Sequence, residues 1–230
     1  MFVLRSAACK SSKWRINVVG VFFMFYQFHL IFILKSVKVI SYPNPVLLCK
    51  CKPVSAINLQ LRELTAAMFQ TMYEMHGVGL AANQVGYPIQ LFVMNETGDC
   101  EKPECEYVFI NPVILRKKGN KIDQEGCLSF PEIYADVNRA ESIEIESIAL
   151  DGSIQNFKWK DRPARIAQHE YDHLQGMSFV DRLSELSLRE IRDELNDLEV
   201  HYESSMRLGF IPNADEMQKR IVELEKQFCS

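Results

Sequence analysis

"HEYDHLQG", residues 169–176, is the stretch that decides how the rest of the chain is interpreted. On a helix, His169 and His173 lie on one face, because four residues advance the helix by about one turn. Two imidazoles at this spacing, with the Glu170 carboxylate beside them, are typical of a metal site that carries its own general base. A pair of surface histidines is the alternative. The apolar neighbours in this segment favour buried rings that need partners.

The surrounding residues predict a helix over 161–176. Asp161 is a candidate N-cap, Pro163 falls in the first turn and Gly176 is a stop signal. Because two histidines do not complete a catalytic metal site, a third ligand is needed. Zinc-protease patterns place that ligand downstream, where the chain offers only His201 in a segment rich in acids.

A better candidate for the third ligand lies upstream, in "EGCLSFPE" (residues 125–132). Cys127 directly follows Gly126, Pro131 comes four residues later, and a cysteine at such a strand edge can bind a metal as thiolate. A small buried apolar side chain is the alternative for an isolated cysteine. The residues of this segment alone leave both readings open.

A third segment with chemical potential is "GVGLAANQ" (residues 77–84). Gly77 and Gly79 allow the backbone to approach a ligand closely, and Gln84 carries an amide donor. The segment is not a phosphate-binding loop, because no Lys-Ser or Lys-Thr follows it and a helix precedes it. It also serves as the end of that helix.

The pattern of apolar residues indicates one α+β domain with helices buried against antiparallel sheet. We predict an extended arm over 38–54, helices over 58–77, 184–205 and 214–228, and strands over 89–95 and 106–115. Two further strands, 142–150 and 153–160, are joined through Asp151–Gly152, which predicts a β-hairpin.

The charge is unevenly distributed along the chain. The net charge is −4, which argues against a generally basic nucleic-acid binder, and we find no nucleic-acid-binding motif. Nine Lys or Arg and no Asp or Glu precede Glu63, so all 30 acidic residues lie after Arg62. The seven cysteines are odd in number and irregularly spaced, which favours a reducing compartment over a disulfide framework.

The first part of the chain contains an apolar run, "VVGVFFMFYQFHLIFIL" (residues 18–34). It sits at the lower limit of a bilayer span, which needs about 20 residues. Basic residues precede it, as in a signal sequence, but no clear cleavage site follows. A membrane-prone leader, an organelle-targeting leader and translated sequence upstream of the functional start are the open alternatives.

Together, the segments 77–84, 125–129 and 169–176 resemble the peptide deformylase family. The family patterns G-x-G-x-A-A-x-Q, E-G-C-L-S and H-E-x-D-H-L-x-G are matched here in order and without a gap. The resemblance covers about residues 38–183. It implies an α+β fold with antiparallel sheets wrapped around a central metal-binding helix, followed by additional C-terminal helices.

The resemblance also implies roles for individual residues. Cys127, His169 and His173 are then the ligands of one divalent metal ion, Fe²⁺ by expectation with Zn²⁺ as the alternative, and the fourth position is open to water. Glu170 is the implied general base, and the implied oxyanion donors are the Gln84 amide and the Leu128 backbone N–H. Val78, Gly79 and Leu128 are expected to contact the substrate.

Two further groups are candidates to orient the ligands. Asp172 lies inside the helical motif and Arg139 lies downstream of the cysteine. For Arg139, an ordinary surface salt bridge is the alternative.

The implied reaction removes the formyl group from the N-terminal methionine of newly synthesised proteins and releases formate. The partners are therefore N-formylmethionyl nascent peptides. The resemblance leaves transient association with the ribosome open, since bacterial relatives often carry a basic C-terminal helix that can meet the ribosome. Residues 184–203 here carry seven acids, so docking through this segment is not supported. Membrane contact is expected only through the leader.

These inferences divide the chain into three parts: a leader (1–37), a deformylase-like catalytic domain (38–183) and an acidic helical extension (184–230). We expect a cytoplasmic enzyme, with an organelle-targeted or membrane-tethered one through residues 18–34 as the alternative. A zinc endopeptidase with an HExxH motif is the rival enzyme. A membrane-tethered binding protein with a vestigial site is the rival of another class.

Overall fold

The computed structural model describes residues 37–230, and the apolar run 18–34 lies outside these described residues. The described chain contains five α-helices and seven β-strands. The helices are α1 (Leu59–Glu74), α2 (Asp161–Leu174), α3 (Glu185–Glu190), α4 (Arg192–Arg207) and α5 (Ala214–Cys229). The strands are β1 (Gly79–Ala81), β2 (Leu91–Met94), β3 (Tyr107–Lys118), β4 (Lys121–Cys127), β5 (Phe130–Arg139), β6 (Ser142–Ile148) and β7 (Ile154–Lys160). The predicted α+β class is confirmed.

The strands form two antiparallel sheets. Five strands pair in the order β1-β2-β3-β6-β7, and β4 pairs with β5 in a separate ribbon. The predicted hairpin is confirmed: Ser142 pairs with Lys160, Ile148 pairs with Ile154, and Gly152 adopts the positive φ that its turn requires. The β4–β5 ribbon was not predicted, because β4 does not alternate: its first four residues are exposed and its last three, Glu125–Cys127, are buried.

Helix α2 lies between the two sheets. One side of it buries Ala164, Ile166 and Ala167 against the five-stranded sheet, in a cluster that includes Phe92 and Phe109. The two phenylalanine rings stack with their centroids 4.4 Å apart. The opposite side of α2 carries the predicted ligands toward the β4–β5 ribbon. The expected central helix is therefore confirmed, with apolar packing on one face and polar chemistry on the other.

Several predicted element ends differ from the structure. Helix α1 stops at Glu74 rather than at Gly77, and His76, with φ 56°, takes the left-handed conformation there. Lys160 is the N-cap of α2, whereas the predicted cap Asp161 lies in its first turn. The helix predicted over 184–205 is interrupted at Ile191, which separates α3 from α4.

The C-terminal helix α5 packs into the main core. Leu224 and Phe228 join the cluster that contains Leu61 and Met68 of α1. The backbone N–H of Ser55 donates to the Phe228 carbonyl at 2.9 Å. The extension is therefore acidic on its exposed side, while the apolar side of α5 helps to bury the core of the catalytic part. Within residues 37–230, no helix has the length and apolar content of a membrane span.

Replacing Leu61 by Ala is expected to lower the free energy of unfolding by about 2–5 kcal/mol, because Leu61 is fully buried between α1 and α5. Leu59→Ala is the matched control, since Leu59 is on the same helix and 69% exposed. The control should change stability by no more than about 0.5 kcal/mol. Urea unfolding of the two variants measures the difference, and equal losses would contradict this account of the core.

Candidate active site

The three predicted ligands come together at one point. Cys127 ends β4, His169 and His173 lie on α2, and their ligand atoms are all within 4.8 Å of one another. The Cys127 Sγ is 3.3 Å from the His173 Nε2. All three side chains are buried. Among the described residues, 37–230, this is the only group of three or more His, Cys, Asp or Glu side chains that could hold a metal ion.

A bulge positions the cysteine. Gly126 pairs with Tyr134, but the next residue, Cys127, pairs with Phe130, so three residues of β5 have no partner on β4. Bulges of this kind turn a side chain to a new direction at the end of a ribbon. Leu128 and Ser129 then form the tight connection between the two strands. The site therefore depends on a change of register at one glycine.

His169 is oriented by a carboxylate that sequence reasoning did not assign. The Glu125 Oε2 is 2.9 Å from the His169 Nδ1, which leaves the Nε2 of that ring to face the ligand cluster. Arg139 donates to both oxygens of Glu125, at 2.6 and 2.9 Å, and Arg165 donates to one at 2.7 Å. Burial alone raises the pKa of Glu125, but His169 and Arg139 outweigh burial and hold this pKa well below its usual range.

A second carboxylate continues this buried ion network. Asp172 accepts hydrogen bonds from the Arg139 Nη1 at 2.7 Å and from Arg182 at 2.7 and 3.0 Å. Burial raises the pKa of Asp172, but the two arginines outweigh it and lower the pKa below its ordinary value. Arg139 is 5% exposed, so the surface salt bridge considered for it is wrong. Arg182, from the short 3₁₀ helix Phe179–Arg182, was missed because its partner lies ten residues away in sequence.

Glu170 lies beside the ligands with one oxygen that has no hydrogen-bond partner among the described residues. The side chain is 4% exposed, and the orphan atom is Oε2. Burial raises the pKa of Glu170 to about 7. A Cβ atom added to Gly79 would overlap this carboxylate, so the glycine leaves the space that Glu170 occupies. Val78, Gly79 and Leu128 line the same cleft as Cys127 and His169.

Gln84 presents its amide nitrogen to the ligand cluster. The Gln84 Oε1 accepts from the Ala81 N–H at 2.8 Å, which fixes the amide so that its Nε2 lies 3.3 Å from both Cys127 Sγ and Ser129 Oγ. The neighbouring Asn83 was missed by sequence reasoning. Its amide donates to the His173 carbonyl at 2.7 Å and so ties this loop to the metal-ligand helix.

The N-terminal arm also reaches the site. The Ile40 N–H donates to the Gln84 carbonyl at 2.8 Å, and the Tyr42 N–H donates to the Ser129 carbonyl at 3.0 Å. The Cys51 N–H donates to the carbonyl of Leu174, at the end of α2. Sequence patterns predicted an arm laid on the domain but gave no signal for these contacts.

Comparisons with known proteins agree with this geometry. The polypeptide deformylase family model matches residues 36–189. The chain belongs to the peptide deformylase family. A peptide deformylase from Rhodopirellula baltica is 37% identical over 190 residues, which cover 83% of this chain and 94% of that protein. Peptide deformylase 1B from Arabidopsis thaliana, named chloroplastic/mitochondrial, is 40% identical over 184 residues, covering 80% of this chain and 67% of that protein.

A solved structure supports the same assignment. The crystal structure of a plant peptide deformylase superposes with a TM-score of 0.73 at 39% identity, covering 78% of this chain and 96% of the other. This deformylase is thus a metal-dependent hydrolase that removes the formyl group from the N-terminal methionine of newly synthesised proteins. The activity expected from the three motifs is confirmed. The endopeptidase and the vestigial binding protein are set aside.

Replacing Arg139 by Met should lower the free energy of unfolding of the deformylase by about 3–5 kcal/mol, because Glu125 and Asp172 would lose a shared partner while remaining buried. Arg116→Met is the control, since the Arg116 side chain is 74% exposed and lies 3.8 Å from its acidic partner. That change should cost less than about 1 kcal/mol. Denaturant unfolding at pH 7 compares the two, and a loss below 1 kcal/mol for Arg139→Met would count against the network.

Proposed function

We propose that the deformylase holds one divalent metal ion through Cys127, His169 and His173, and that Glu170, Gln84 and Leu128 carry out the chemistry around it. The donor set fits such an ion, because one thiol and two imidazoles converge in a buried site. Glu125 is hydrogen-bonded to the Nδ1 of His169. A carboxylate on the second ring nitrogen is the usual arrangement around a histidine that binds a metal. A divalent ion in this setting supplies Lewis acidity and lowers the pKa of water from about 15.7 toward 7.

Glu170 is the proposed general base and acid. It accepts the proton of the attacking water and delivers it to the nitrogen of the departing amine. Its buried position supports this role, because burial raises its pKa to about 7, which suits a group that takes up and returns a proton near neutral pH. Its unpartnered Oε2 is available to a water molecule or to the substrate.

Gln84 and Leu128 are the proposed donors to the tetrahedral oxyanion. The bond from the Ala81 N–H to Gln84 Oε1 turns the amide nitrogen toward the ligand cluster, where it lies 3.3 Å from the Cys127 Sγ and is placed to donate to the oxyanion. Leu128 directly follows Cys127, so its backbone N–H is fixed by the same tight turn. Donors held in place in this way each contribute about 3 kcal/mol in the transition state.

The formyl-methionine end of the peptide is proposed to lie along Val78, Gly79 and Leu128. These residues share one cleft with Glu170, Cys127 and His169, which supports the placement. The catalytic unit is proposed to span 38–183, because every residue of the site described above falls within it. The extension 184–230 follows it and packs back through α5, and the leader comprises 1–37.

The destination of the enzyme is proposed to be an organelle rather than the cytoplasm first expected. The plant relatives carry the words chloroplastic or mitochondrial in their names, and the first 36 residues here contain no acid. Docking on the ribosome through the acidic C-terminal helices is not part of this proposal. Fractionation of cells that express the full chain decides the location, and recovery at full length in the cytosol would rule out import.

Glu170→Ala should reduce formate release from formyl-Met-Ala-Ser by about a thousandfold, because the group that transfers the proton is removed. The metal should stay bound, because Glu170 is not one of its proposed ligands. Formate is measured enzymatically and metal by mass spectrometry on the same samples. Glu132→Ala, an exposed acid on β5, is the control and should keep full activity. Retained turnover in Glu170→Ala would contradict the assigned role, and the absence of formate from the metal-loaded wild type would contradict the activity itself.

The native metal is proposed to be Fe²⁺, with Zn²⁺ as the second ion that thiolate and imidazole ligands accept. Protein purified without oxygen should contain close to one iron per chain. Exposure to air should lower activity as ferrous ion and thiolate oxidise, and reloading with Zn²⁺ should not share that sensitivity. Zinc as the main metal in anaerobic preparations would overturn the choice of ion and leave the ligand set unaffected.

A further inference from the structure

The turn that joins β4 to β5 is held from outside by the N-terminal arm. The turn consists of Leu128 and Ser129, and the backbone N–H of Leu128 is the proposed oxyanion donor. Tyr42 of the arm donates its backbone N–H to the Ser129 carbonyl at 3.0 Å. Two residues earlier, the N–H of Ile40 donates to the carbonyl of Gln84 at 2.8 Å. One short stretch of the arm therefore contacts the backbone of both segments that carry the proposed oxyanion donors.

The side chain of Tyr42 packs against the residue that follows this turn. Its ring stacks on Phe130, with the ring centroids 4.9 Å apart and the planes at 24°. Phe130 is 2% exposed and packs edge to face on Phe179, whose ring lies 6.4 Å from that of His169. Tyr42 thus packs against the apolar cluster that contains Cys127. The same residue supports the turn through its backbone and through its ring.

The hydroxyl of Tyr42 is fixed by the C-terminal extension. It donates to the Glu199 Oε1 on α4 at 2.8 Å, across 157 residues of sequence. Helix α4 is itself anchored, since Leu195 is buried in the same apolar cluster and Leu198 packs against it. Burial and the bond to Glu199 raise the pKa of Tyr42 to about 12, so the hydroxyl keeps its proton at neutral pH and remains a donor. The position of the arm at this turn is thereby tied to α4.

We propose that Tyr42 is a positioning residue for the oxyanion donors of the deformylase, and that Glu199 holds it in place. Oxyanion donors stabilise the transition state only when they point at the position that the developing charge will occupy, so a small displacement of the turn lowers the rate. Tyr42 has this role only if Leu128 and Gln84 are the donors, so its role rests on the proposed function. The acidic extension then takes part in catalysis through one carboxylate.

The hydroxyl is tested with Tyr42→Phe and Glu199→Leu in the full-length, metal-loaded enzyme. Each change removes the bond between Tyr42 and Glu199 and leaves an aromatic ring at position 42. We expect kcat for formyl-Met-Ala-Ser to fall about tenfold in each, with KM changed by less than about twofold, because a displaced donor weakens binding of the transition state alone. The double variant should lose no more than either single variant, since the two side chains act through one bond. Additive losses would contradict an effect through this bond.

A conservative variant and a matched control separate this role from stability. Glu199→Gln keeps an oxygen that accepts from the Tyr42 hydroxyl, so it should retain kcat within about twofold. Tyr73→Phe is the control, because the Tyr73 hydroxyl also donates to a glutamate, Glu106, at 2.8 Å. The partners of that hydroxyl, Glu106 and Asn95, lie outside the β4–β5 turn and α4. Tyr73→Phe should lower the melting temperature about as much as Tyr42→Phe and leave kcat unchanged.

A thioformyl substrate shows whether the lost rate belongs to the oxyanion. In thioformyl-Met-Ala-Ser a sulfur atom replaces the formyl oxygen, and sulfur accepts hydrogen bonds weakly, so misplaced donors matter less. The release of free amino termini, measured with fluorescamine, should fall about tenfold in Tyr42→Phe with the formyl substrate and less than about threefold with the thioformyl substrate. A smaller folded fraction would instead reduce both rates by one factor. Gln84→Leu, which removes a proposed donor outright, should show the same selective loss.

The outcomes separate the role of Tyr42 from the proposed function. Selective loss in Gln84→Leu without selective loss in Tyr42→Phe overturns the role of Tyr42 and leaves the donors as assigned. Equal loss with both substrates in Tyr42→Phe, failure of Glu199→Gln to retain activity, or an equal fall of kcat in Tyr73→Phe also overturns it. The absence of a selective loss in Gln84→Leu contradicts the proposed donors, and the role of Tyr42 with them.

Discussion

The buried carboxylate of Glu125 is the constraint on which the geometry of the catalytic centre depends. It is fully buried, and a charge in that position is tolerated only when its hydrogen-bonding capacity is filled. Its partners come from β5, through Arg139, and from α2, through Arg165 and His169. The bonds to this one carboxylate therefore hold the β4–β5 ribbon against α2. They also set the orientation of the His169 ring.

The polar centre is built between two apolar layers that hold it in place. On one side, the stacked pair Phe92 and Phe109 packs in the same apolar cluster as α2. On the other, Phe179 packs edge to face on Phe130, the residue that follows the turn with the proposed oxyanion donor Leu128. The arm contributes the backbone bonds from Ile40 and Tyr42 to this region. Burial of the ligand side chains by these layers strengthens the electrostatic interactions of the site.

The surface charge of the C-terminal extension does not reveal its structural role. Its exposed residues are largely acidic, and from sequence it resembles an appendage. Yet Leu224 and Phe228 complete the core under α1, and Ile191 and Leu195 pack beside the β4–β5 ribbon.

The sequence by itself determined the class of fold, the central helix and the placement of the two histidines on one face of that helix. The helical spacing of His169 and His173 and the hairpin at Gly152 are local properties, set by backbone periodicity and turn chemistry, and both were found in the structure. The convergence of Cys127 with the histidines could be inferred only through the family resemblance, because more than forty residues separate them.

Only the tertiary structure decided how that site is supported. The bulge at Gly126, the pairing of Glu125 with His169 and the contact from Arg182 to Asp172 involve groups whose partners are set by packing rather than by sequence spacing. The end of α1 was misplaced and the break at Ile191 was not predicted, since a left-handed residue and a tertiary contact overrode the local signals. Periodicity reports which face of an element is buried, but it carries no information about which element will meet that face.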